Sequence, residues 1–202
     1  MSGDYCDVLP GQNGDWYFLL GDVAGKGVAA SMLMTQLHAM FRALVPLGLS
    51  LPQLVARAST IFCESTLPTH YATLVSLRAQ ANGAVEVCSA GHLPPVLVHD
   101  GLASRIGAGG LPVGMFCSAD YATTAVTMTA GDTLALFTDG LSEAENAGGE
   151  EFGLDGIADA CAAHAGKSPR AVVSGCLSAV DRFRSGPAAD DITMMVIARQ
   201  QN

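Results

Sequence analysis

The sequence has 202 residues, of which half are hydrophobic and only 14% are charged. Such a chain is long and apolar enough to bury the core of one large domain. Nineteen Asp and Glu residues against ten Lys and Arg residues give a net charge of −9, which argues against broad electrostatic binding to nucleic acid or to an anionic membrane. Polar residues interrupt the apolar stretches, as in 32–49, so the sequence predicts no transmembrane helix.

The six cysteines are spread along the chain without any C-x-x-C pair, which argues against a zinc ribbon or a thioredoxin-type site. We therefore expect buried, reduced thiols. The N-terminus has no signal-peptide pattern, so a reducing cytoplasm is the predicted location. A domain cut from a larger protein would look the same.

The first forty residues predict a hairpin followed by a helix. Strand patterns cover 4–9 and 16–20, and the Pro-Gly and Asn-Gly pairs between them are turn signals. A turn centred on 12–13 or 13–14 sets Asp4 opposite one of the residues Gly21, Asp22 and Val23. Two carboxylates therefore meet at the open end of this hairpin.

The rest of the chain alternates between blocks of helices and blocks of strands. We predict helices at 28–45, 52–64, 154–164 and 169–183, and strands at 72–79, 85–89, 96–99, 122–128, 133–138 and 192–198. The three strands of 72–99 have the pattern of an antiparallel meander. Strands and helices in blocks favour an α+β architecture with antiparallel sheets over a doubly wound parallel fold.

Carboxylates recur where apolar strands begin or end. Asp4 precedes a strand, Asp22 and Asp139 follow strands, and Asp190 and Asp191 precede the last strand. Converging carboxylates raise each other's pKa, and a divalent cation relieves the repulsion. Ligands that are all oxygen indicate Mg²⁺, Mn²⁺ or Ca²⁺ rather than zinc. An Asp-Gly pair at a strand end is more often an ordinary turn, so the pattern alone does not establish a site.

Six motifs in a fixed order carry a family resemblance over nearly the whole chain. They are GDYCDV at 3–8, GDVAGKGVAASMLM at 21–34, AGHLPP at 90–95, GGLPVG at 109–114, GDTLALFTDGLSEAEN at 131–146 and DDIT at 190–193. Together they resemble the SpoIIE/RsbU-type branch of the metal-dependent protein phosphatases, the PPM superfamily related to protein phosphatase 2C. The second motif is not a phosphate-binding P-loop, because the glycine spacing is one residue too short and Gly27 replaces the required Ser or Thr.

The resemblance implies a single domain over 1–202, with two antiparallel sheets packed as a sandwich and flanked by helices on both sides. It also implies two Mn²⁺ or Mg²⁺ ions at one end. The implied ligands are Asp22 for both ions, Asp4 and the Val23 carbonyl for one ion, and Asp139 with Asp190 for the other. Asp191 competes with Asp190, because only side-chain direction in the strand separates them.

The implied activity is that of a serine/threonine protein phosphatase. The two ions lower the pKa of a water that attacks the phosphoryl group, so no protein nucleophile is needed, and Asp22 and Asp139 are the expected catalytic residues. The family's substrates are phosphorylated anti-anti-sigma (STAS) proteins, which makes such a protein the expected partner in bacterial sigma-factor signalling. An upstream sensory or receiver domain and a second copy of the chain are further expected partners.

Two departures from the family pattern leave alternatives open. Ala24 stands where many eukaryotic relatives have a proton-donating His, so we expect water as the proton donor. His92 is the alternative donor, although a lone His in such a loop is more often structural. Lys26 either contacts the substrate phosphate or has a role in the turn and the start of the helix at 28–45. The family usually has one more strand before Asp4, so the chain is either a fragment of a larger regulator or has an open sheet edge. We expect the isolated domain to bind one metal weakly.

Two other functions compete with the phosphatase. The early Asp4 and Ala24 motivate a metal-poor pseudophosphatase that acts as a regulatory and binding module. The acidic ligands, all of which are present, count against that reading. A two-metal hydrolase of small phosphoesters or nucleotides is a third hypothesis, which the acidic surface makes less attractive.

Overall fold

The computed structural model describes residues 3–107 and 109–200. Nine strands and five α-helices are described there, and the element boundaries are as follows. They are β1 (Asp4–Pro10), β2 (Trp16–Val23), α1 (Val28–Leu44), α2 (Leu51–Ser65), β3 (Ala72–Ala79), β4 (Ala84–Ala90), β5 (Val96–His99), β6 (Leu102–Arg105), β7 (Thr123–Thr127), β8 (Thr133–Phe137), α3 (Asp139–Ser142), α4 (Gly153–Ala162), α5 (Pro169–Phe183) and β9 (Met194–Ala198). Short 3₁₀ helices lie at Gln12–Gly14 and Val45–Leu47.

The chain divides into two compact units, each with one antiparallel sheet and its own helices. The first unit is Met1–Pro94 with Gly107–Thr127, and the second is Pro95–Ile106 with Met128–Asn202. The first sheet has the order β1-β2-β3-β4-β7 and the second the order β6-β5-β8-β9. The predicted α+β class with antiparallel sheets is confirmed, whereas the single domain stays a prediction.

The predicted N-terminal hairpin is present in the first unit. Asp4 pairs with Asp22, in the middle of the predicted range of registers. Asn13 and Gly14 adopt positive φ values of 61° and 80°, which Asn and Gly tolerate better than other residues. Among the described residues, β1 lies at the edge of the first sheet.

Helix α1 is held on the first sheet by apolar packing and by an ion pair between an exposed arginine and a buried carboxylate. The Arg42 guanidinium donates from Nη2 and Nε to the two carboxylate oxygens of Asp7, at 2.9 and 3.0 Å. Asp7 itself is only 8% exposed, and His38 Nε2 lies 3.2 Å from it. Phe41 stacks on Tyr5, with ring centroids 6.0 Å apart. These contacts fix β1, and with it the position of Asp4.

We predicted that no helix could cross a membrane, and this prediction is wrong: one helical segment is long enough and apolar enough to do so, judged by length and composition only. Val28–Leu47 is long enough, and its mean hydropathy of 1.3 is high enough, because its few polar residues barely lower the average. In the structure 28% of this window is buried. Leu37, Phe41 and Leu44 form the buried side of the helix and pack into the core of the first unit.

The predicted meander is only partly correct. β3 pairs with β4, but β4 then pairs with β7, while β5 pairs with β6 and β8 in the second sheet. The chain leaves the first sheet after Gly91, which has a φ of 73°, and passes through Pro94 and Pro95, which have no N–H group to donate to a strand neighbour. The short elements β6 and α3 were not predicted.

Helices α4 and α5 follow the prediction closely. Ser168 is the N-cap of α5, and its hydroxyl accepts a hydrogen bond from the Ala171 backbone N–H at 3.3 Å. Pro169 occupies the first turn, where its missing N–H has no intrahelical partner to lose. The Cys161 and Cys176 sulfur atoms, 3.6 Å apart, join the buried sides of the two helices.

The expectation of reduced, buried cysteines is wrong for three of the six. Cys63 on α2 and Cys117 form a disulfide, and Cys6 is exposed. The loop that carries Cys117 folds over α2, where the Thr60 hydroxyl donates to the Cys117 carbonyl oxygen at 3.0 Å. A sequence separation of 54 residues gave no sign of this contact. The cytoplasmic location, which was inferred from the missing signal-peptide pattern, stays a prediction.

We expect the Cys63→Ser variant to be less stable than the parent chain. Opening a cross-link that closes a loop of this length typically costs about 2–4 kcal/mol, mainly because the unfolded chain gains freedom. Urea denaturation without reductant measures the loss. Dithiothreitol should lower the stability of the parent by a similar amount and leave the variant unchanged.

The matched control is Cys6→Ser, which alters a thiol outside the disulfide and should unfold at the parent's urea concentration. If reductant has no effect on the parent, the stabilising role of the disulfide is contradicted.

Candidate metal centre

The first acidic pair lies at the end of the hairpin in the first unit. Asp4 and Asp22 are directly opposite each other on β1 and β2, a relation that brings the Cβ atoms of two residues to about 5 Å. Gly21 precedes Asp22 where β2 and β3 approach closely, and a Cβ atom there would overlap the Thr73 carbonyl oxygen. The Gly-Asp pair of the motif therefore combines a close strand contact with a carboxylate.

Gly3 brings two predicted ligand atoms to one place. A Cβ atom on Gly3 would lie 3.0 Å from Asp22 Oδ1 and 3.1 Å from the Val23 carbonyl oxygen. The Gly3 carbonyl also accepts a hydrogen bond from the Val23 N–H at 3.3 Å. The carboxylate and the carbonyl thus lie beside the same glycine, an arrangement that is compatible with ligands of one ion. Sequence reasoning gave Gly3 no role, although it stands next to Asp4 in the first motif.

The loop after β2 leads directly into helix α1. Gly25 and Gly27 have φ values of 110° and 79°, and the Ser31 N–H donates to the Gly27 carbonyl at 3.2 Å. Lys26 is exposed between these glycines, so the turn and the start of the helix account for this part of the motif. A contact of Lys26 with phosphate stays a prediction.

In the second unit, Asp139 begins α3 directly after β8. The neighbouring strand is held to this point by Thr138 and Thr193: the Thr138 N–H donates to the Thr193 carbonyl at 3.0 Å, and the Thr193 N–H donates to the Thr138 hydroxyl at 3.0 Å. A Cβ atom on Gly140 would overlap the Asp191 carbonyl oxygen. Only glycine therefore allows the 190–193 segment to lie this close to α3.

Glu143 is an acidic neighbour of this group that the sequence analysis did not single out. Its N–H donates to the Asp139 carbonyl at 2.8 Å, which closes the single turn of α3. Burial raises the pKa of the Glu143 carboxyl, and the charges of Asp139, Glu151 and Asp190 raise it further. The spacing of four residues from Asp139 was the available signal, because such residues share a helix face.

The two competing aspartates differ in their surroundings. The Asp190 carboxylate accepts the Asp191 N–H at 2.9 Å, and its charge contributes to the raised pKa of Glu143. Asp191 instead presents its carbonyl oxygen to Gly140. These contacts associate the Asp190 carboxylate with the Asp139 group, while the assignment of the metal ligand stays a prediction.

Both groups of residues present oxygen atoms, which suits Mg²⁺ or Mn²⁺. Asp4, Asp22 and the Val23 carbonyl form the group in the first unit; Asp139, Glu143 and Asp190 form the group in the second. Across 3–107 and 109–200, no set of three or more His, Cys, Asp or Glu side chains is arranged to hold a metal ion. The oxygen donors of both groups nevertheless fit a divalent cation. The predicted ligands also include a backbone carbonyl, which is not a side chain.

His92 is buried and hydrogen-bonded, as the structural alternative for this residue predicted. It is 7% exposed, and its Nδ1 atom lies 2.8 Å from the Thr73 hydroxyl oxygen. Thr73 is the residue opposite Asp22 on β3. One side chain, that of Thr73, thus separates His92 from the predicted bridging ligand Asp22 in the same unit.

The family model that describes stage II sporulation protein E, SpoIIE, matches residues 12–200. The chain belongs to the SpoIIE family. Phosphoserine phosphatase RsbP of Bacillus subtilis (strain 168) is 26% identical over 150 residues, which are 71% of this chain and 37% of RsbP. The family assignment therefore agrees with the resemblance carried by the six motifs.

Solved structures of other proteins share the fold of this chain. The RsbU and RsbW domains of Rv1364c from Mycobacterium tuberculosis align with a TM-score of 0.83 and 27% identity, over 99% of this chain and 56% of that one. The PP2C phosphatase domain of SpoIIE from Bacillus subtilis, solved with a fragment of its regulatory domain, aligns with a TM-score of 0.86 and 19% identity, over 98% of this chain and 58% of that one. The chain thus spans roughly a third to three fifths of these relatives' lengths.

We expect Gly3→Ala to weaken Mn²⁺ binding by about tenfold, the range found when groups that orient a metal ligand are disturbed. The added methyl group pushes on both Asp22 Oδ1 and the Val23 carbonyl oxygen. Isothermal titration with Mn²⁺ measures the change.

Gly148→Ala is the matched control, because its Cβ would lie 3.2 Å from the Asn146 side-chain oxygen, which is not a predicted ligand. Unchanged Mn²⁺ affinity in Gly3→Ala would contradict the assignment of these two oxygens.

We expect Glu143→Gln to stabilise the metal-free protein near neutral pH. A carboxyl whose folded pKa is raised favours the native state when protonated, so its stabilising effect is lost as pH rises through the folded pKa. The uncharged Gln removes this loss. The gain should stay below about 1 kcal/mol, because the Glu143 carboxyl is only slightly buried and solvent screens its charge.

Thermal melting at acidic and neutral pH tests this expectation, with Glu64→Gln on α2 as the exposed control. The gain of Glu143→Gln should vanish below the unfolded pKa of Glu, about 4.3. An equal melting temperature for variant and parent near neutral pH would refute it.

Proposed function

We propose that this chain is a metal-dependent protein phosphatase that removes phosphate from phosphoserine or phosphothreonine. The observation that supports this most directly is the opposed pair Asp4 and Asp22 beside the Val23 carbonyl, in a chain of the SpoIIE family. A sequence relative named phosphoserine phosphatase supports the same reaction class.

The proposed cofactors are two Mn²⁺ or Mg²⁺ ions. Asp4, Asp22 and the Val23 carbonyl are the proposed ligands in the first unit, and Asp139 and Asp190 are those in the second, with Asp191 as the competitor of Asp190. When bound, such ions lower the pKa of a water and neutralise charge on the phosphoryl oxygens.

The chain's own contribution is to hold these oxygens in place before the ions bind. The register of β1 and β2 sets Asp4 opposite Asp22, and Gly3 allows Asp22 Oδ1 and the Val23 carbonyl oxygen to lie close to the backbone of β1. A rigid ligand set lowers the cost of ordering on binding. With Ala24 after the bridging Asp22, we propose that solvent water supplies the proton to the leaving serine or threonine oxygen.

The proposed substrate is a phosphorylated STAS-domain anti-anti-sigma protein, in bacterial partner-switching signalling. The similarity to proteins named RsbP, RsbU and RsbW supports a regulatory role of this kind. We also propose that an upstream sensory or receiver domain and a second copy of the chain regulate the activity, and that the reaction takes place in the cytoplasm.

Phosphate release from a phosphoserine-bearing STAS protein tests the proposal. The parent chain should release phosphate with Mn²⁺ and not with EDTA. Asp22→Asn should reduce the rate by more than about 100-fold, because even residues that only orient metal ligands cost 10- to 100-fold. Asp120→Asn removes an exposed carboxylate outside the proposed ligand set and should keep the parent's rate.

The outcomes separate the competing functions. If no phosphate is released at any Mn²⁺ concentration, the phosphatase is contradicted and the regulatory module is favoured. Faster turnover of nucleotides or sugar phosphates than of the phosphoprotein would favour a hydrolase of small phosphoesters. Equal rates for Asp22→Asn and Asp120→Asn would contradict the proposed ligand.

A further inference from the structure

The row of side chains that begins with Asp4 and Asp22 continues onto the third strand of the sheet. Asp22 lies opposite Asp4 on β1 and opposite Thr73 on β3. Residues that face each other in antiparallel strands share one face of the sheet and are side-chain neighbours. Thr73 is therefore the neighbour of the proposed bridging ligand on the side away from Asp4.

His92 makes a short contact with the other side of Thr73. Its Nδ1 atom is 2.8 Å from the Thr73 hydroxyl oxygen. The His92 carbonyl accepts a hydrogen bond from the Ser89 hydroxyl at 3.1 Å, so the loop that carries the ring is tied back to β4. His92 as a whole is 7% exposed, and burial of this kind keeps a side chain in one orientation.

The Thr73 hydroxyl also lies within reach of the Asp22 backbone. Its oxygen is 3.5 Å from the Asp22 carbonyl oxygen, at the long end of hydrogen-bonding distances. A carbonyl only accepts, and a threonine hydroxyl has one hydrogen to donate. If that hydrogen goes to Asp22, the contact with His92 requires the imidazole to donate from Nδ1. A relay that uses both contacts therefore requires the Nδ1-protonated tautomer of His92.

We propose that His92 is a positioning residue for Asp22 and acts through Thr73. The relay runs from His92 Nδ1–H to the Thr73 hydroxyl and from this hydroxyl to the Asp22 carbonyl. That carbonyl belongs to the peptide group between Asp22 and Val23, which separates the two proposed ligand atoms on β2. Holding this peptide group fixes the direction of both, and this inference rests on the proposed function because it concerns the proposed metal ligands.

Removing either member of the relay should weaken metal binding without removing a ligand. We expect Thr73→Val and His92→Leu each to weaken Mn²⁺ binding by about tenfold or more, as for other groups that orient metal ligands. The double variant should bind about as weakly as the weaker single variant, because residues that act in series are not additive. Calorimetric titration of the full 202-residue chain with Mn²⁺ alone gives the affinities.

Conservative variants separate positioning from packing. Thr73→Ser keeps the hydroxyl, and His92→Asn keeps an N–H donor near the place of Nδ1, so both should retain the parent's Mn²⁺ affinity within about threefold, well inside the range for a lost orienting group. The control is Tyr121→Phe, which removes a hydrogen bond of 3.1 Å to the Ser59 hydroxyl in the same unit. It should leave Mn²⁺ affinity unchanged, and thermal melting of every variant reports any general loss of stability.

The tautomer of His92 is a second readout that needs no metal. Nitrogen NMR of the isotope-labelled, metal-free chain should show the His92 proton on Nδ1, and this preference should be lost in Thr73→Val. A proton on Nε2 in the parent chain would overturn the proposal.

The result for the parent chain distinguishes the failure of this inference from that of the proposed function. If the parent binds Mn²⁺ and Asp22→Asn does not, while Thr73→Val and His92→Leu bind as the parent does, the relay is wrong and the metal site stands. If the parent binds no Mn²⁺, both fail. An equal loss in Tyr121→Phe would also overturn the relay, because it would reduce the effect to general packing.

Discussion

Opposed carboxylates repel each other, and the N-terminal hairpin forces Asp4 and Asp22 into this position. The rest of the first unit supports the arrangement: the Asp7–Arg42 ion pair and the Tyr5–Phe41 stack hold β1 against α1. A hairpin without such support could relax by shifting or fraying, and the two carboxylates would separate.

Glycine at points of close approach is the second requirement of the site. Gly3, Gly21 and Gly140 each stand where a Cβ atom would crowd or overlap an oxygen atom. At Gly3 the crowded atoms are predicted ligands, and at Gly140 the neighbouring segment of the same chain carries the two competing aspartates, Asp190 and Asp191. Each unit thus brings its oxygen atoms close together by leaving out a side chain. The Gly-Asp and Asp-Gly pairs of the motifs have this physical basis.

Local patterns predicted most of the secondary structure and the register of the first hairpin, because turn chemistry and periodicity act over a few residues. They failed where distant segments meet. β5 joins the second sheet after the two prolines, and Cys117 reaches Cys63 across 54 residues. The segment Val28–Leu47 shows a different error. Its polar residues were taken as sufficient to exclude a membrane-spanning helix, but its average hydropathy allows one.

The sequence by itself determined the family, the α+β class and the carboxylates that are available at strand ends, because motifs and periodicity are properties of the linear chain. Only the tertiary structure decided which groups surround those carboxylates. Gly3 beside Asp22, Glu143 beside Asp139, and the path from His92 through Thr73 to Asp22 all depend on contacts between segments that turn signals and hydrophobic periods do not specify. Such contacts arise from packing, which no local pattern encodes.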